Sequence, residues 1–206
     1  MKIAIIDYGM GNLKSLKGAF QQIGIEDIET TKDPQYIQEA DKLILPGVGA
    51  FKLAMENIKK FNLDSIIREN VLERKKPILG ICLGMQLLTQ SSEEGGSTKG
   101  LNLVPGNVIK FKKGKFPIPH IGFNQVKPNI KSKLYLSFNY ELIDFYFVHS
   151  YKVTSTQDIN QGISNYMENF ISSFELGNIA GVQFHPELSQ KNGLKLLSNF
   201  IQYVNA

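Results

Sequence analysis

The stretch Lys76-Pro77-Ile78-Leu79-Gly80-Ile81-Cys82-Leu83-Gly84-Met85-Gln86-Leu87-Leu88 constrains this chain more than any other, because it changes character at Cys82. Residues 77–81 are a short apolar run of the kind found in a buried parallel strand. From Leu83 onward the spacing is helical, with Leu83, Gln86, Leu87 and Leu88 crowded together. Cys82 is the only cysteine, and Gly80 and Gly84 bracket it as Gly-x-Cys-x-Gly. At a strand-to-helix switch this is the cysteine form of a nucleophile elbow, a sharp turn that holds its central side chain up on strained backbone. A Cβ at either glycine would crowd such a turn. A cysteine there also lies near the positive end of a helix dipole and near unpaired N–H groups, which favour the attacking thiolate. The plainer reading is a free cysteine buried at the end of a core strand. The flanking glycines favour the elbow, and a general base elsewhere in the chain would decide.

The 206 residues suffice for one large α/β domain, and we read residues 1–206 as a single domain. One cysteine excludes an internal disulfide and fits a reducing cytoplasm. Met1-Lys2 runs straight into Ile3-Ala4-Ile5-Ile6, so no signal peptide is expected, and no apolar run approaches a membrane span. A net charge of +4 points only weakly to nucleic acid. The densest basic run, Lys110, Lys112, Lys113 and Lys115 around Gly114, lacks interleaved aromatics and reads as a solvated hairpin tip.

Taken in order, residues 2–6 predict a strand, Asp7-Tyr8-Gly9-Met10-Gly11-Asn12 a loop, and Leu13, Leu16, Phe20 and Ile23 one face of a helix. The Gly-x-Gly has no third glycine, because Lys14 stands there, so a dinucleotide site carries little weight. A strand near Ile28, a helix over 34–39 and a strand over 42–45 follow. That strand ends in Pro46-Gly47-Val48-Gly49-Ala50-Phe51, where glycines would let backbone N–H groups turn towards an anion. A plain turn before a helix fits that stretch equally well. Helices over 51–60 and 63–74 precede the elbow. This β-α-β-α-β-α-β-α pattern predicts a three-layer α/β fold, a mostly parallel central sheet with helices on both faces. Ligands in such sheets bind beyond the carboxyl ends of the strands, where the Gly47 loop and Cys82 both fall. Residues 93–100 read as a polar loop. Strand-like runs follow at 108–109, 123–126, 145–148, 163–167 and 170–174, with turn signals at Pro105-Gly106 and Lys113-Gly114, and suggest an antiparallel extension. A last strand, 179–184, leads into His185-Pro186-Glu187 and a helix with Leu194, Leu197, Ile201 and Val204 on a face.

Of the three histidines, His120, His149 and His185, only His185 has a carboxylate two residues on, across a stiffening proline. A histidine that deprotonates a thiol needs one ring nitrogen aimed at sulfur and the other held by an acceptor, which Glu187 can supply. Zinc fails on ligand count and on the lack of short Cys/His spacing, so no metal is expected.

Gly80-Ile81-Cys82-Leu83-Gly84-Met85-Gln86 with a distant His185-Pro186-Glu187 resembles the class I (triad) glutamine amidotransferases, over the whole chain. The resemblance implies a flavodoxin-like fold and no cofactor. It implies that Cys82 attacks the side-chain amide of glutamine, His185 moves the proton and Glu187 orients His185. The Val48, Gly49 and Leu83 N–H groups would hold the oxyanion. Gly47, Gln86, His149, Ser150 and Tyr151 would bind the amino-acid end. Asp7-Tyr8-Gly9-Met10-Gly11-Asn12, Pro46-Gly47-Val48-Gly49-Ala50-Phe51, Pro119-His120-Ile121-Gly122-Phe123-Asn124 and Phe147-Val148-His149-Ser150-Tyr151 are similar to the glutaminase subunit of imidazole glycerol phosphate synthase. That likeness implies a heterodimer with a (β/α)₈-barrel cyclase that receives ammonia and serves histidine and purine synthesis. It puts Met10, Asn12, Ile121, Phe123, Asn124 and Leu188 on the partner face. The family usually has tryptophan where Phe123 stands and lysine where Leu188 stands. These departures leave open a paralogue that feeds ammonia to an enzyme of surface-polysaccharide sugars. A regulatory subunit without catalysis would have a damaged triad, and an α/β-hydrolase-type cysteine hydrolase would have its acid before the histidine.

Overall fold

The computed structural model describes residues 1–112, 114–138 and 142–203. In chain order the strands are β1 (Ile3–Ile6), β2 (Ile28–Thr31), β3 (Lys42–Leu45), β4 (Ile78–Ile81), β5 (Ser91–Ser92), β6 (Thr98–Lys99), β7 (Asn107–Lys110), β8 (His120–Val126), β9 (Ile143–His149), β10 (Tyr151–Thr154), β11 (Gly162–Tyr166), β12 (Glu168–Leu176) and β13 (Ile179–Val182). The helices are α1 (Leu13–Gln22), α2 (Pro34–Glu39), α3 (Phe51–Lys60), α4 (Leu63–Arg68), α5 (Leu83–Leu87) and α6 (Gln190–Ile201). The helix expected over 63–74 is α4 followed directly by a π-helical turn, Glu69–Glu73.

The main sheet runs β2-β1-β3-β4-β13-β12-β10-β7-β5-β6, with β11 on β12. From β2 to β13 all pairs are parallel; β12 then turns the sheet antiparallel. The four central strands β1, β3, β4 and β13 are buried at every residue, Lys42 of β3 included, as short strands with helices on both faces should be. On one face Ile3, Ile5, Ile44, Leu79 and Ile81 pack with Leu16 and Phe20 of α1 and Leu196, Leu197 and Phe200 of α6. On the other, Ala4, Ile6, Leu43, Leu45 and Ile78 pack with α2, α3, α4 and α5. Each fully buried Leu or Ile contributes roughly 1.5–3 kcal/mol, so the centre of the sheet is the rigid part of the molecule. Val204, expected on the closing helix face, lies outside the described residues, as does Lys113 of the basic run.

Two details differ from the sequence reading. Lys110 does not lead into a hairpin: β7 pairs with β10 and β5, and Phe111 N–H continues the ladder to Ser150 O at 3.2 Å. The unforeseen partner, β10, hides directly behind β9, separated only by Ser150. The antiparallel extension also divides. β8 and β9 form their own two-stranded sheet, with His120 opposite His149 and Ile121 opposite Val148. Its inner face is buried through His120, Val126, Ile143, Phe145, Phe147 and His149, while Ile121, Phe123 and Val148 face outward.

Among the glycines of the described residues, the closest approach joins the elbow to β3. A Cβ on Gly84 would lie 1.7 Å from the Leu45 carbonyl oxygen. Gly84→Ala must therefore separate α5 from β3, and should cost about 3 kcal/mol or more in urea unfolding. Gly18 sits inside α1 with nothing within 4 Å of such a Cβ. Gly18→Ala should raise stability by up to about 1 kcal/mol, the ordinary helix-propensity gain.

Candidate active site

Strand β4 delivers Cys82 to the carboxyl edge of the sheet. Its backbone stands at φ +53° and ψ −111°, a conformation that costs an L-residue roughly 1–3 kcal/mol. Three contacts hold it there. Cys82 N–H donates to Val182 O at 2.8 Å, a Cβ on Gly80 would meet the Gly84 carbonyl at 2.8 Å, and Gly84 abuts Leu45. The thiol is almost buried, with Sγ 3.8 Å from Val148 O and 3.7 Å from Gln183 Nε2.

His185 arrives on the neighbouring strand. β13 is parallel to β4 with Val182 opposite Ile81, so the residues after each strand emerge side by side. His185 N–H donates to Tyr146 O at 2.8 Å, tying the β8–β9 hairpin to the site. The following 3-10 turn, Pro186–Leu188, folds Glu187 back, and His185 Nδ1 meets Glu187 Oε1 at 2.8 Å. Both side chains are about 5% exposed or less. Gly193 of α6 lies under this turn, where a Cβ would come within 1.8 Å of Pro186 O. His185 Nε2 and Glu187 Oε2 are buried without a hydrogen bond among the described residues. Burial opposes charge on the imidazole, but Cys82 and Glu187 outweigh it and raise His185 to about 10. The ring thus keeps its proton through the neutral range, and an imidazolium beside a cysteine is the arrangement that stabilises an attacking thiolate.

A pocket of about 320 Å³ opens over Cys82. Its walls include Val48, Gly49, Leu83, Gln86, His149, Ser150 and Tyr151, seven of the residues expected there from the sequence. Gly47 is not on the wall. It is wedged beneath, where a Cβ would lie 2.1 Å from the Tyr8 hydroxyl. That buried hydroxyl donates to Pro46 O at 2.7 Å and fixes the start of the loop. Leu83 N–H, an expected oxyanion donor, is 3.3 Å from Gly47 O and already engaged. The partner-face candidates fall into two groups. Ile121, Phe123 and Leu188 are exposed, with Phe123 edge-on to Tyr146. Asn12 is exposed as well and caps α1 through Ser15 N–H, whereas Met10 packs against Gly49 and Asn124 turns its amide inward to Asn165 O.

Glu94 escaped the sequence reading, which puts Gln183 at a strand end without giving it a role. Glu94 lines the pocket and accepts Phe51 N–H at 2.8 Å, although its segment reads only as a polar loop. Gln183 joins Gln86 to Cys82, accepting Gln86 Nε2 at 2.9 Å. A glutamine inside the otherwise apolar run 179–184 was the available signal.

The description "Glutamine amidotransferase class-I" matches residues 4–203, and the chain belongs to that family. Among its curated relatives, "Imidazole glycerol phosphate synthase subunit HisH 2" of Methanococcus maripaludis is 50% identical, over 97% of this chain and 98% of the relative. The subunit HisH of Aquifex aeolicus is 46% identical, over 97% and 96%. Those names describe one subunit of a multi-subunit synthase. Among solved structures, a chain of the "Structure of PurLQS from Thermotoga maritima" aligns with a TM-score of 0.73 at 19% identity, covering 98% of each chain, a likeness of fold.

Removing the carboxylate charge beside His185 must make its proton easier to lose. In an NMR titration of the ring, Glu187→Gln should lower the His185 midpoint from about 10. An unmoved midpoint would show that Glu187 does not act on the imidazole. Stability has the same sign. The contribution from the raised His185 pKa is complete below its unfolded value near 6.5 and is lost as pH rises through about 10.

Proposed function

We propose that this chain is the glutaminase subunit of an imidazole glycerol phosphate synthase, acting as a single domain in the cytoplasm. The observation that carries the reading is the buried His185–Glu187 pair beside Cys82, at the floor of a pocket with a carboxylate on its wall. Such a pocket suits free glutamine, whose ammonium can meet Glu94 while its amide reaches Sγ.

In this reading the Cys82 thiolate attacks the side-chain carbonyl carbon, and the negative charge on the oxygen is taken by backbone N–H groups of Val48, Gly49 and Leu83. The imidazolium gives its proton to the amide nitrogen, the C–N bond breaks and ammonia leaves. Neutral His185 then takes a proton from water, which attacks the thioester and releases glutamate and the thiolate. Glu187 holds the ring through both transfers. Leu83 N–H must first leave the Gly47 carbonyl, so the free chain should be slow until a partner moves the loop. The partner is a (β/α)₈-barrel cyclase seated over Ile121, Phe123 and Leu188, which takes the ammonia and forms imidazole glycerol phosphate and aminoimidazole carboxamide ribotide.

A second acceptor is suggested by Phe123 and Leu188, which are exposed and stand where the resembled family usually has tryptophan and lysine. A paralogue of this kind would supply ammonia to a sugar-modifying enzyme instead.

Glutamate release by the full chain should rise at least about tenfold with the organism's histidine-pathway cyclase and its ribonucleotide substrate. No stimulation and no complex, with Cys82 still labelled by a glutamine-mimicking electrophile, would move the assignment to the sugar pathway. Cys82→Ala should abolish glutamate release while leaving complex formation intact; residual turnover would exclude Cys82 as the nucleophile.

A further inference from the structure

An unbroken line of hydrogen bonds runs from the β8–β9 hairpin into the pocket. Asn124 Nδ2 lies 3.3 Å from His120 Nε2 and 2.9 Å from Asn165 O. His120 Nδ1 is 3.0 Å from His149 Nε2, and His149 Nδ1 is 2.8 Å from Tyr151 O. Gln86 Nε2 also donates to Tyr151 O, at 3.1 Å, and to Gln183 Oε1.

Only one assignment of protons satisfies this line. A carbonyl can only accept, so His149 carries its proton on Nδ1 and presents Nε2 as an acceptor. His120 must then donate from Nδ1, which leaves its Nε2 to accept from Asn124. The Asn124 amide is held in the donating orientation by the Asn165 carbonyl. Both rings are buried, and burial lowers His120 to about 4 and His149 to about 3, so both are neutral and each has one proton to place. The Tyr151 carbonyl, shared by His149 and Gln86, thus depends on a proton position set at the hairpin.

We propose that His120 is a positioning residue for the glutamine pocket, acting through the tautomer of His149 and the Tyr151 carbonyl on the Gln86 side chain. The proposal rests on the glutaminase reading, in which Gln86 and the 149–151 stretch hold the amino-acid end of the substrate. The hairpin that carries His120 and Asn124 on its inner face carries Ile121 and Phe123 on its outer face. Seating of the hairpin and order in the pocket are therefore one property.

His120 is also packed between Phe147 and Tyr166, with ring centroids 5.0 Å and 4.0 Å away. A merely structural role and a positioning role consequently predict opposite rankings of two variants. His120→Phe keeps the packing and loses the donor. His120→Asn loses the ring but can place an amide N–H where Nδ1 stood. In glutaminase assays with the cyclase present, His120→Phe should raise KM for glutamine about fivefold, the effect of one lost hydrogen bond, with kcat changed by less than about twofold. His120→Asn should restore KM towards the wild-type value. The reverse ranking, with His120→Phe unchanged and His120→Asn impaired, would assign His120 to packing and overturn the proposal.

The tautomers are read independently on the wild-type full chain by two-bond ¹⁵N–¹H correlation of the imidazoles. Both His120 and His149 should appear as neutral Nδ1–H forms at pH 7. An Nε2–H or charged His149 would overturn the proposal even if His120→Asn does not fold. Absence of glutamine turnover in the wild-type complex would instead defeat the glutaminase reading and leave the tautomer result standing.

Discussion

The fold depends on a close approach that only glycine permits. Gly84 lets the first turn of α5 rest on the Leu45 carbonyl, and Gly80 lets the same turn close over β4. With both in place, the chain can leave a fully buried strand, turn at Cys82 with positive φ and enter a helix without clearing the sheet. A side chain at either point would lift the helix away from β3, and the thiol with it. The backbone strain at Cys82 is sustained because β3, β4 and β13 are buried on both faces and cannot yield locally.

The same burial divides the three histidines between two kinds of chemistry. All three are at least 94% removed from solvent, and burial alone disfavours charge on each. His185 has Glu187 against Nδ1 and Cys82 on its other side, and their attraction outweighs the desolvation. Among the described residues His120 and His149 hydrogen-bond only to each other, an amide and a carbonyl, and burial, with His185 nearby for His149, keeps them neutral. One ring is set up to hold and move a proton. The other two are set up to keep theirs in a fixed place, which is what a rigid pocket wall requires.

The pocket draws its walls from segments with very different backing. Cys82, Leu83 and Gln86 come from the strained but rigid elbow. Val48 and Gly49 come from a loop held at its start by Tyr8 on Pro46 O and Leu83 N–H on Gly47 O, and at its end by Phe51 N–H on Glu94. His149 ends β9 of the small sheet, which meets the main body through His185 N–H on Tyr146 O, Tyr146 N–H on Ser189 Oγ and His149 Nδ1 on Tyr151 O; Ser150 follows it, and Tyr151 begins β10 of the main sheet. On the proposed reading, a nucleophile on rigid backbone stands beside an anion-binding loop whose adjustment by a partner would set turnover from outside.

Much of this was legible along the chain. Short apolar runs at β1, β3, β4 and β13, the first three alternating with helical stretches, meant a parallel sheet covered on both faces. Gly-x-Cys-x-Gly meant the elbow, because the turn has no room for a Cβ. His185-Pro186-Glu187 placed a carboxylate within reach of its own imidazole, because the separation is local and the proline stiffens it. What the sequence could not decide was everything that needs two distant segments to meet. Glu94 comes to the pocket through the Phe51 N–H, Gln183 comes to Cys82 only because β13 is parallel to β4, and His120 finds His149 only through the register of β8 on β9. The separate β8–β9 sheet and the pairing of β7 with β10 were out of reach for the same reason, since alternation marks a strand but does not name its neighbour. Local spacing fixes which residues are strained, capped or paired within a few positions. Strand order and register decide which of them share a site.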